Sequence, residues 1–111
     1  MFSIKDKVIV VTGGNGLLGK KIVSTLREQG AVAIAADIFF QEKTNDDFVI
    51  DITDEDSVKN GIKEIVNKYK QIDGWVNNAY PRTADWGNKF EDISLVSWRK
   101  NVDMHLNGYF L

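Results

Sequence analysis

Short apolar runs alternate with longer amphipathic stretches along the chain. Residues 8–11 and 32–36 are continuous apolar runs, which is typical of parallel strands buried on both faces. Residues 48–50 and 72–77 predict a third and a fourth strand. Elsewhere apolar positions recur every three or four residues, as on the buried face of a helix. Three such stripes predict helices: Leu18, Ile22 and Leu26; Val58, Ile62, Ile65, Val66 and Tyr69; Leu95, Trp98, Val102, Leu106 and Tyr109.

The order of these elements is strand, helix, strand, strand, helix, strand, helix. It predicts an α/β fold with a Rossmann-type, doubly wound parallel sheet and right-handed crossovers. Thr53 with Asp56 predicts a capping box at the start of the second helix. About four strands and three helices make only part of such a fold, so residues 1–111 are expected to be the N-terminal part of one domain. The apolar residues 106–111 end the chain without a cap, which also suggests that a C-terminal half is absent.

Gly13, Gly16 and Gly19 are spaced three apart, directly after the first strand and at the opening of the first helix. The first glycine permits a tight turn, the second lets a pyrophosphate approach the backbone, and the third allows close helix–strand packing. The helix N-terminus then offers N–H groups and a positive dipole end to the anion. The alternatives are a tight turn without a ligand and a Walker-type loop, but no Gly-Lys-Ser/Thr follows. The predicted phosphate-binding set is Thr12, Gly13, Asn15, Gly16, Leu17, Leu18 and Gly19.

Asp37 ends the second strand, 18 residues after Gly19. A carboxylate near this position accepts hydrogen bonds from the adenosine ribose hydroxyls of a dinucleotide and would repel a 2′-phosphate. The next residues are Ile38, Phe39 and Phe40, so no cation stands beside it to bind such a phosphate. The sequence therefore predicts NAD rather than NADP, the alternative being an ordinary solvated Asp at a strand end.

The formal net charge of −2 comes from interspersed acidic and basic residues, which disfavours a nucleic-acid or polybasic membrane surface. The chain has no Cys and a single His, so no metal site is expected. No run approaches the roughly 20 apolar residues of a membrane span, and the first residues lack the pattern of a signal peptide. We therefore expect a cytoplasmic protein whose partners include neither nucleic acid nor membrane.

Five features occur together in one order: the glycine-rich stretch 12–19, Asp37, Asp51-Ile52, Asn77-Asn78-Ala79 and the stretch 98–110. Together they resemble the short-chain dehydrogenase/reductase family, and the resemblance covers essentially the whole chain. The strings 77–82 and 105–110 are most similar to bacterial short-chain oxidoreductases of the flagellin-modification type, which belong to sugar biosynthesis for surface glycans.

The resemblance implies cofactor contacts at the strand ends. Asp51 would lie near the adenine amino group with Ile52 packing on the ring, unless Asp51 simply begins a helix-capping turn. Asn77 would stabilise the sheet and line the cleft, unless it is a buried Asn satisfied by backbone groups. Ala79 would approach the nicotinamide ribose. The expected cofactor-binding set also includes Ile38 and Asn78.

Three positions depart from the usual pattern of the family. The glycine that most members carry at the position of Leu17 lies at Gly16 instead, which resembles the extended branch of the family. Tyr80 replaces the glycine after Asn-Asn-Ala. His105 stands where the family carries a catalytic Asn. His105 could relay protons, or it could be a packed residue on the apolar face of the last helix.

The resemblance implies an NAD-dependent oxidoreductase that transfers hydride between nicotinamide and an alcohol or carbonyl carbon, with a sugar or sugar phosphate as the candidate substrate. Tyr80, Arg82 and Trp86 are candidate substrate contacts, Arg82 for a phosphate or carboxylate and Trp86 for a sugar face, unless this is a plain surface loop. The catalytic Tyr-x-x-x-Lys pair of the family does not occur among the 111 residues, so this chain alone is expected to be inactive. A non-catalytic dinucleotide sensor and an extended-type nucleotide-sugar epimerase or dehydratase are the alternatives.

The apolar face of the last helix, residues 95–111, would lose its covering partners in a truncated domain. Exposed apolar area is unfavourable by roughly 25 cal/mol per Å². We therefore expect self-association, either through this helix packing against its copy or by non-specific aggregation.

Overall fold

The computed structural model describes residues 2–111, and its centre is a four-stranded parallel sheet. The strands are β1 (Val8–Thr12), β2 (Val32–Asp37), β3 (Asp47–Val49) and β4 (Gly74–Val76). They lie in the order β3-β2-β1-β4, so the chain builds outward from β1 in one direction and then returns to its other side. The sheet confirms the predicted α/β, Rossmann-type fold class.

Helices connect and cover the strands: α1 (Leu17–Glu28), α2 (Glu55–Tyr69) and α3 (Leu95–Val102). A short 3-10 turn, Phe90–Asp92, precedes α3. The stripe predicted as one last helix is divided, because α3 continues into a π-helical segment, Asp103–Asn107, and a final turn, Gly108–Phe110. Within residues 2–111 we find no helix with the length and apolar character needed to cross a membrane.

Apolar clusters pack on both faces of the sheet, which explains why β1 and β2 are continuously apolar. One cluster joins β1, β2 and β3 to α2, and the other joins β1 and β2 to α1. The first includes Val10, Ile34, Phe48, Ile50, Val58 and Ile65, and the second includes Val11, Val23, Ala33 and Ala35. The buried strands thus hold their carboxyl ends, and the loops that follow them, in fixed positions along one edge.

Two local predictions were wrong in detail. The N-cap of α2 is Asp54, whose carboxylate accepts from the backbone N–H groups of Asp56 and Ser57. The Thr53 hydroxyl instead donates to Asp51 at 2.6 Å, so it is not available to cap the helix. The fourth strand begins at Gly74 rather than at residue 72, because the Asp73 carboxylate takes the Val8 N–H at 2.8 Å.

Candidate functional site

A cleft of about 820 Å³ opens at the carboxyl ends of the strands. It lies where the order of the strands reverses around β1, which is where ligands bind in open α/β sheets. Its wall brings together most of the predicted cofactor residues. Those residues are Gly13, Gly16, Leu17, Leu18, Gly19, Asp37, Ile38, Asp51, Ile52, Asn78 and Ala79.

The glycines of the loop after β1 are required by close backbone approaches. Gly13 has φ +64°, and a Cβ there would lie 2.9 Å from the Cα of Ala79. A Cβ at Gly19 would lie 2.0 Å from the carbonyl oxygen of Gly13, so only glycine lets the helix start so near the turn. A glycine is also required at position 14, because a Cβ on Gly14 would lie 2.7 Å from the Cβ of Ala35. The sequence analysis did not predict this. The adjacent Gly13-Gly14 pair was the available signal.

The N-terminus of α1 is open to a ligand. Gly16 is its N-cap residue and has no side chain with which to cap the first N–H groups. Its first turn carries no acidic residue either. Leu17 and Leu18 lie at the mouth of the cleft with 91% and 70% of their side-chain surface exposed. Unpaired N–H groups, a positive dipole end and exposed apolar side chains together suit an anionic ligand with apolar rings.

Thr12 lies buried beneath the cleft wall rather than in it. Its hydroxyl donates to the Val76 carbonyl at 3.3 Å and accepts from the N–H groups of Asn78 and Ala79, each at 3.1 Å. The Asn78 side chain in turn donates to the Gly13 carbonyl at 3.3 Å. Thr12 therefore positions the loop after β4 against the glycine loop.

The Asp37 carboxylate is fixed beside the glycine loop. One oxygen accepts from the backbone N–H of Asn15 at 3.0 Å, and the other accepts from that of Ile38 at 2.8 Å. Asn15 itself lies behind the loop, where its side chain donates to the Phe39 carbonyl at 2.8 Å. A carboxylate has about four lone-pair sites, so both oxygens keep acceptor capacity for a diol in the cleft.

Asp51 lies both at the cleft and in the turn that precedes α2. It lines the cleft, and it also begins the turn before α2, accepting from the N–H of Thr53 at 2.9 Å. Its own N–H donates to the Ser57 hydroxyl at 2.9 Å. Ile52 is buried below it and presents part of its surface to the cleft.

Asn77 lies outside the cleft wall, which corrects the prediction that it lines the cleft. Its side chain is exposed and accepts from Trp75 Nε1 at 3.0 Å. Its amide nitrogen donates to the Tyr109 carbonyl at 3.4 Å. Successive side chains at a strand end point in opposite directions, so Asn78 reaches the cleft where Asn77 does not.

Of the candidate substrate residues, Tyr80 and Arg82 line the cleft. Trp86 lies behind them, and its Nε1 donates to the Tyr80 hydroxyl at 2.8 Å. His105 also lies outside the wall, with its Nε2 against the Pro81 carbonyl. Pro81 and Met104 line the cleft without having been predicted. Pro81 was signalled only by its position between Tyr80 and Arg82.

The loop after residue 82 is held by a buried residue that sequence reasoning missed. Asn101 accepts from the Thr83 N–H at 3.1 Å and donates to the Thr83 hydroxyl at 2.7 Å. The Thr83 hydroxyl hydrogen bond lowers the pKa of Asp85, and the Ser97 hydroxyl acts in the same direction. These contacts tie the loop to α3 and keep the Trp86 indole in place.

A glycine loop under an open helix N-terminus, in one cleft with a carboxylate at the next strand tip, defines a Rossmann-type dinucleotide-binding protein. Residues 7–111 match the family described as short chain dehydrogenase, and the chain belongs to that family. Its members are oxidoreductases that bind NAD(P)(H).

The relatives of this chain include dehydrogenases, reductases and a flagellin modification protein. Post-translational flagellin modification protein A of Campylobacter coli is 29% identical over 97% of this chain and 48% of its own length. The ligand-free aldohexose dehydrogenase of Thermoplasma acidophilum is 32% identical, with TM-score 0.82, 96% of this chain covered and 41% of that one. A short chain dehydrogenase of Leptospira borgpetersenii with bound NAD+ is 26% identical, with TM-score 0.79, 97% of this chain covered and 43% of that one. The chain therefore spans about half the length of the curated relatives it matches.

Proposed function

We propose that this chain is the dinucleotide-binding N-terminal part of an NAD-dependent short-chain oxidoreductase. The observation that carries the proposal is the shared cleft, in which the open N-terminus of α1 and the fixed carboxylate of Asp37 face the same space. The pyrophosphate would bind at the glycine loop above β1. The adenosine half would extend toward Asp37 and Asp51 over β2 and β3. The nicotinamide half would extend toward Ala79 over β4.

Asp37 supports NAD over NADP. Its carboxylate would accept from the ribose hydroxyls, and its charge would oppose a 2′-phosphate at the same place. The bound NAD+ in the Leptospira relative is in keeping with this choice.

The bound nicotinamide would supply the carbon that gives or takes hydride. The residues of this chain would bind and orient it: the glycine loop holds the diphosphate, Asp37 holds the ribose, and Thr12 sets the distance between the glycine loop and Ala79. The Tyr-x-x-x-Lys pair that moves the substrate proton in this family does not occur in the 111 residues. We therefore expect this chain alone to bind NADH without turning over a substrate.

A sugar or sugar phosphate is the proposed substrate class. Arg82 lines the cleft on the nicotinamide side, where it can bind a phosphate or carboxylate in bidentate geometry. The flagellin-modification relative and the aldohexose dehydrogenase are in keeping with this class. The cytoplasmic location stays a prediction.

The test is a titration with NADH and NADPH, followed by the fluorescence of the three Trp residues. NADH should bind more tightly than NADPH. The Asp37→Ala variant should weaken NADH binding about tenfold or more, because hydrogen bonds to a carboxylate are lost. Glu28→Ala removes one exposed charge at the far end of α1 and should leave both affinities unchanged. Tighter binding of NADPH by the unmodified chain would contradict the assignment.

Self-association through the last helix is proposed as well. Leu106 and Phe110 expose 70% and 87% of their surface on its outer side. A second copy of the chain would cover this apolar area. Light scattering should show a mass that rises with concentration, and Leu106→Lys with Phe110→Lys should keep the chain monomeric. A monomer at all concentrations would contradict the proposal.

A further inference from the structure

The two departures from the family pattern near the cleft touch one another. Tyr80 stands at the usual glycine position and His105 at the usual Asn position, 25 residues apart in sequence. Their rings stack with centroids 4.4 Å apart and an interplanar angle of 23°. Either substitution alone would leave the other ring without this partner.

His105 connects the last helix to the loop of residues 79–82, here termed the β4 loop. It lies within the π-helical segment Asp103–Asn107, and such wide turns within helices occur frequently at functional sites. Its Nε2 contacts the Pro81 carbonyl oxygen. Because a carbonyl can only accept, Nε2 carries the hydrogen in this bond.

Tyr80 is held from its other end as well. Its hydroxyl accepts from Trp86 Nε1 at 2.8 Å, and the Trp86 indole stacks on that of Trp98 at 5.8 Å. Tyr80 still exposes 53% of its surface and lines the cleft. Its ring is therefore a fixed part of the cleft wall rather than a free surface side chain.

Three consecutive residues of the β4 loop are thus anchored by the last helix and its neighbours. The Tyr109 hydroxyl donates to the Ala79 carbonyl, the Tyr80 ring stacks on His105, and the Pro81 carbonyl accepts from His105. On its opposite side, the loop is tied to the glycine loop through Thr12.

We propose that Tyr80 and His105 form one positioning pair, which fixes the β4 loop against the nicotinamide half of the bound dinucleotide. The pair replaces a Gly and an Asn with two stacked rings, and His105 adds its hydrogen bond to the Pro81 carbonyl. This proposal rests on the proposed function for the identity of the ligand, while the ring contact itself is independent of any ligand.

Calorimetry with two ligands separates this role from a general structural one. ADP carries the adenosine and diphosphate but neither the nicotinamide nor its ribose. Tyr80→Gly should weaken NADH binding about fivefold, the order expected for one lost aromatic stack, and leave ADP binding unchanged. Tyr80→Phe keeps the stack and should retain most of the NADH affinity. Equal losses for both ligands would overturn the proposal.

A double variant tests whether the two residues act as one. His105→Gln places an amide donor near the position of Nε2 and can keep the hydrogen bond to the Pro81 carbonyl while removing the stack. It should therefore weaken NADH binding to a similar extent as Tyr80→Gly. The variant with both changes should bind NADH within about twofold of Tyr80→Gly, because the same contact is lost only once. Losses that multiply would overturn the pair.

NMR of the single His provides a readout that does not depend on NADH. Stacking should shift the His105 ring protons upfield, and the ring nitrogens should show hydrogen on Nε2. In Tyr80→Gly the ring protons should move downfield but stop short of the values of a free His, because the Trp86 and Tyr109 rings remain 6.1 and 6.5 Å from the His105 ring. Unshifted protons, or hydrogen on Nδ1 with none on Nε2, in the unmodified chain would overturn the pair, whether or not NADH binds. Failure of NADH binding with the expected His105 spectrum would contradict the proposed function instead.

Discussion

The helices α1 and α2 both follow strands of one sheet, but the N-terminus of α2 is capped by a side chain and that of α1 is not. α1 begins at Gly16, without a capping side chain and without an acidic residue in its first turn. α2 begins at Asp54, whose carboxylate accepts from two backbone N–H groups, and Glu55 and Asp56 follow in its first turn. The chain therefore satisfies the positive end of α2 internally and leaves that of α1 available.

This difference identifies the anion site more sharply than the glycine count does. A capping side chain contributes about 1 kcal/mol to helix stability, and acidic residues in the first turn add to it. α1 forgoes both contributions at the place where the cleft opens. A ligand that binds only the folded state restores such stability, by about 2.7 kcal/mol at a concentration of 100 times its Kd.

The largest expected effect comes from adding a methyl group at the third glycine. Gly19→Ala puts a Cβ 2.0 Å from the Gly13 carbonyl oxygen, so the loop must move and NADH binding should fall below detection. Gly61→Ala is the matched change in α2, where the Cβ would lie 2.4 and 2.5 Å from Cδ1 and Cγ1 of the buried Ile50. It should lower the free energy of unfolding by about 1–3 kcal/mol and weaken NADH binding far less than Gly19→Ala does, although Ile50 also lines the cleft. Equal NADH affinities in these two variants would contradict the conclusion that the N-terminus of α1, and not α2, binds the ligand.

A smaller effect is expected when α1 is given the kind of cap that α2 has. Gly16→Asp should stabilise the ligand-free chain slightly, by about 0.5 kcal/mol at most. It should weaken NADH binding about tenfold, because the new carboxylate competes with and repels the diphosphate. Thermal unfolding and calorimetry measure the two quantities separately.

Two variants control for this change. Gly16→Asn offers a neutral cap of the same shape and should weaken NADH binding less than Gly16→Asp does. Asp54→Ala removes the cap of α2 and should cost about 1 kcal/mol of stability with no change in NADH affinity. Weaker NADH binding in Asp54→Ala would mean that the two helix ends are not independent.

The smallest effect concerns the other end of α2, which also finds its partners within the chain. Burial, together with a hydrogen bond to Asp46, raises the pKa of Tyr69 to about 12. A raised pKa favours the neutral phenol in the folded state, so its stabilising contribution is complete below about pH 10 and is lost as the pH rises toward 12. Tyr69→Phe should flatten the decline of unfolding free energy with pH in this range, and an unchanged decline would contradict the assignment.

The sequence was sufficient for the fold because β1 and β2 are apolar on both faces, a pattern that few other arrangements share. Prediction from the sequence was less reliable at the ends of elements, where a side-chain oxygen accepts the hydrogen bond of a backbone N–H. The Asp73 carboxylate shortens β4, and Asp54 caps α2 in place of Thr53. Both outcomes depend on which of several nearby side-chain oxygens accepts a given backbone N–H. Residue spacing alone does not determine which oxygen has the right geometry.

The candidate site shows the same division. The glycine loop and Asp37 could be placed at the cleft from sequence because they follow directly from the ends of β1 and β2. Asn77 and Asn78 are adjacent residues of the same type, and only the direction of the strand end decides which one faces the cleft. The stack of Tyr80 on His105 depends on the path of the π-helical segment, which the apolar stripe of the last helix does not reveal.

The most direct measurement is a backbone amide NMR titration of the chain with NADH, since it reports both helix ends at once. We predict large shifts for the amides of Leu17, Leu18, Gly19 and Ile38, and only small ones for those of Asp56 and Ser57, since the Ser57 hydroxyl accepts from the Asp51 N–H beside the cleft. Shifts at saturating NADH that spare the first turn of α1, or that include the start of α2 to the same degree, would contradict the account.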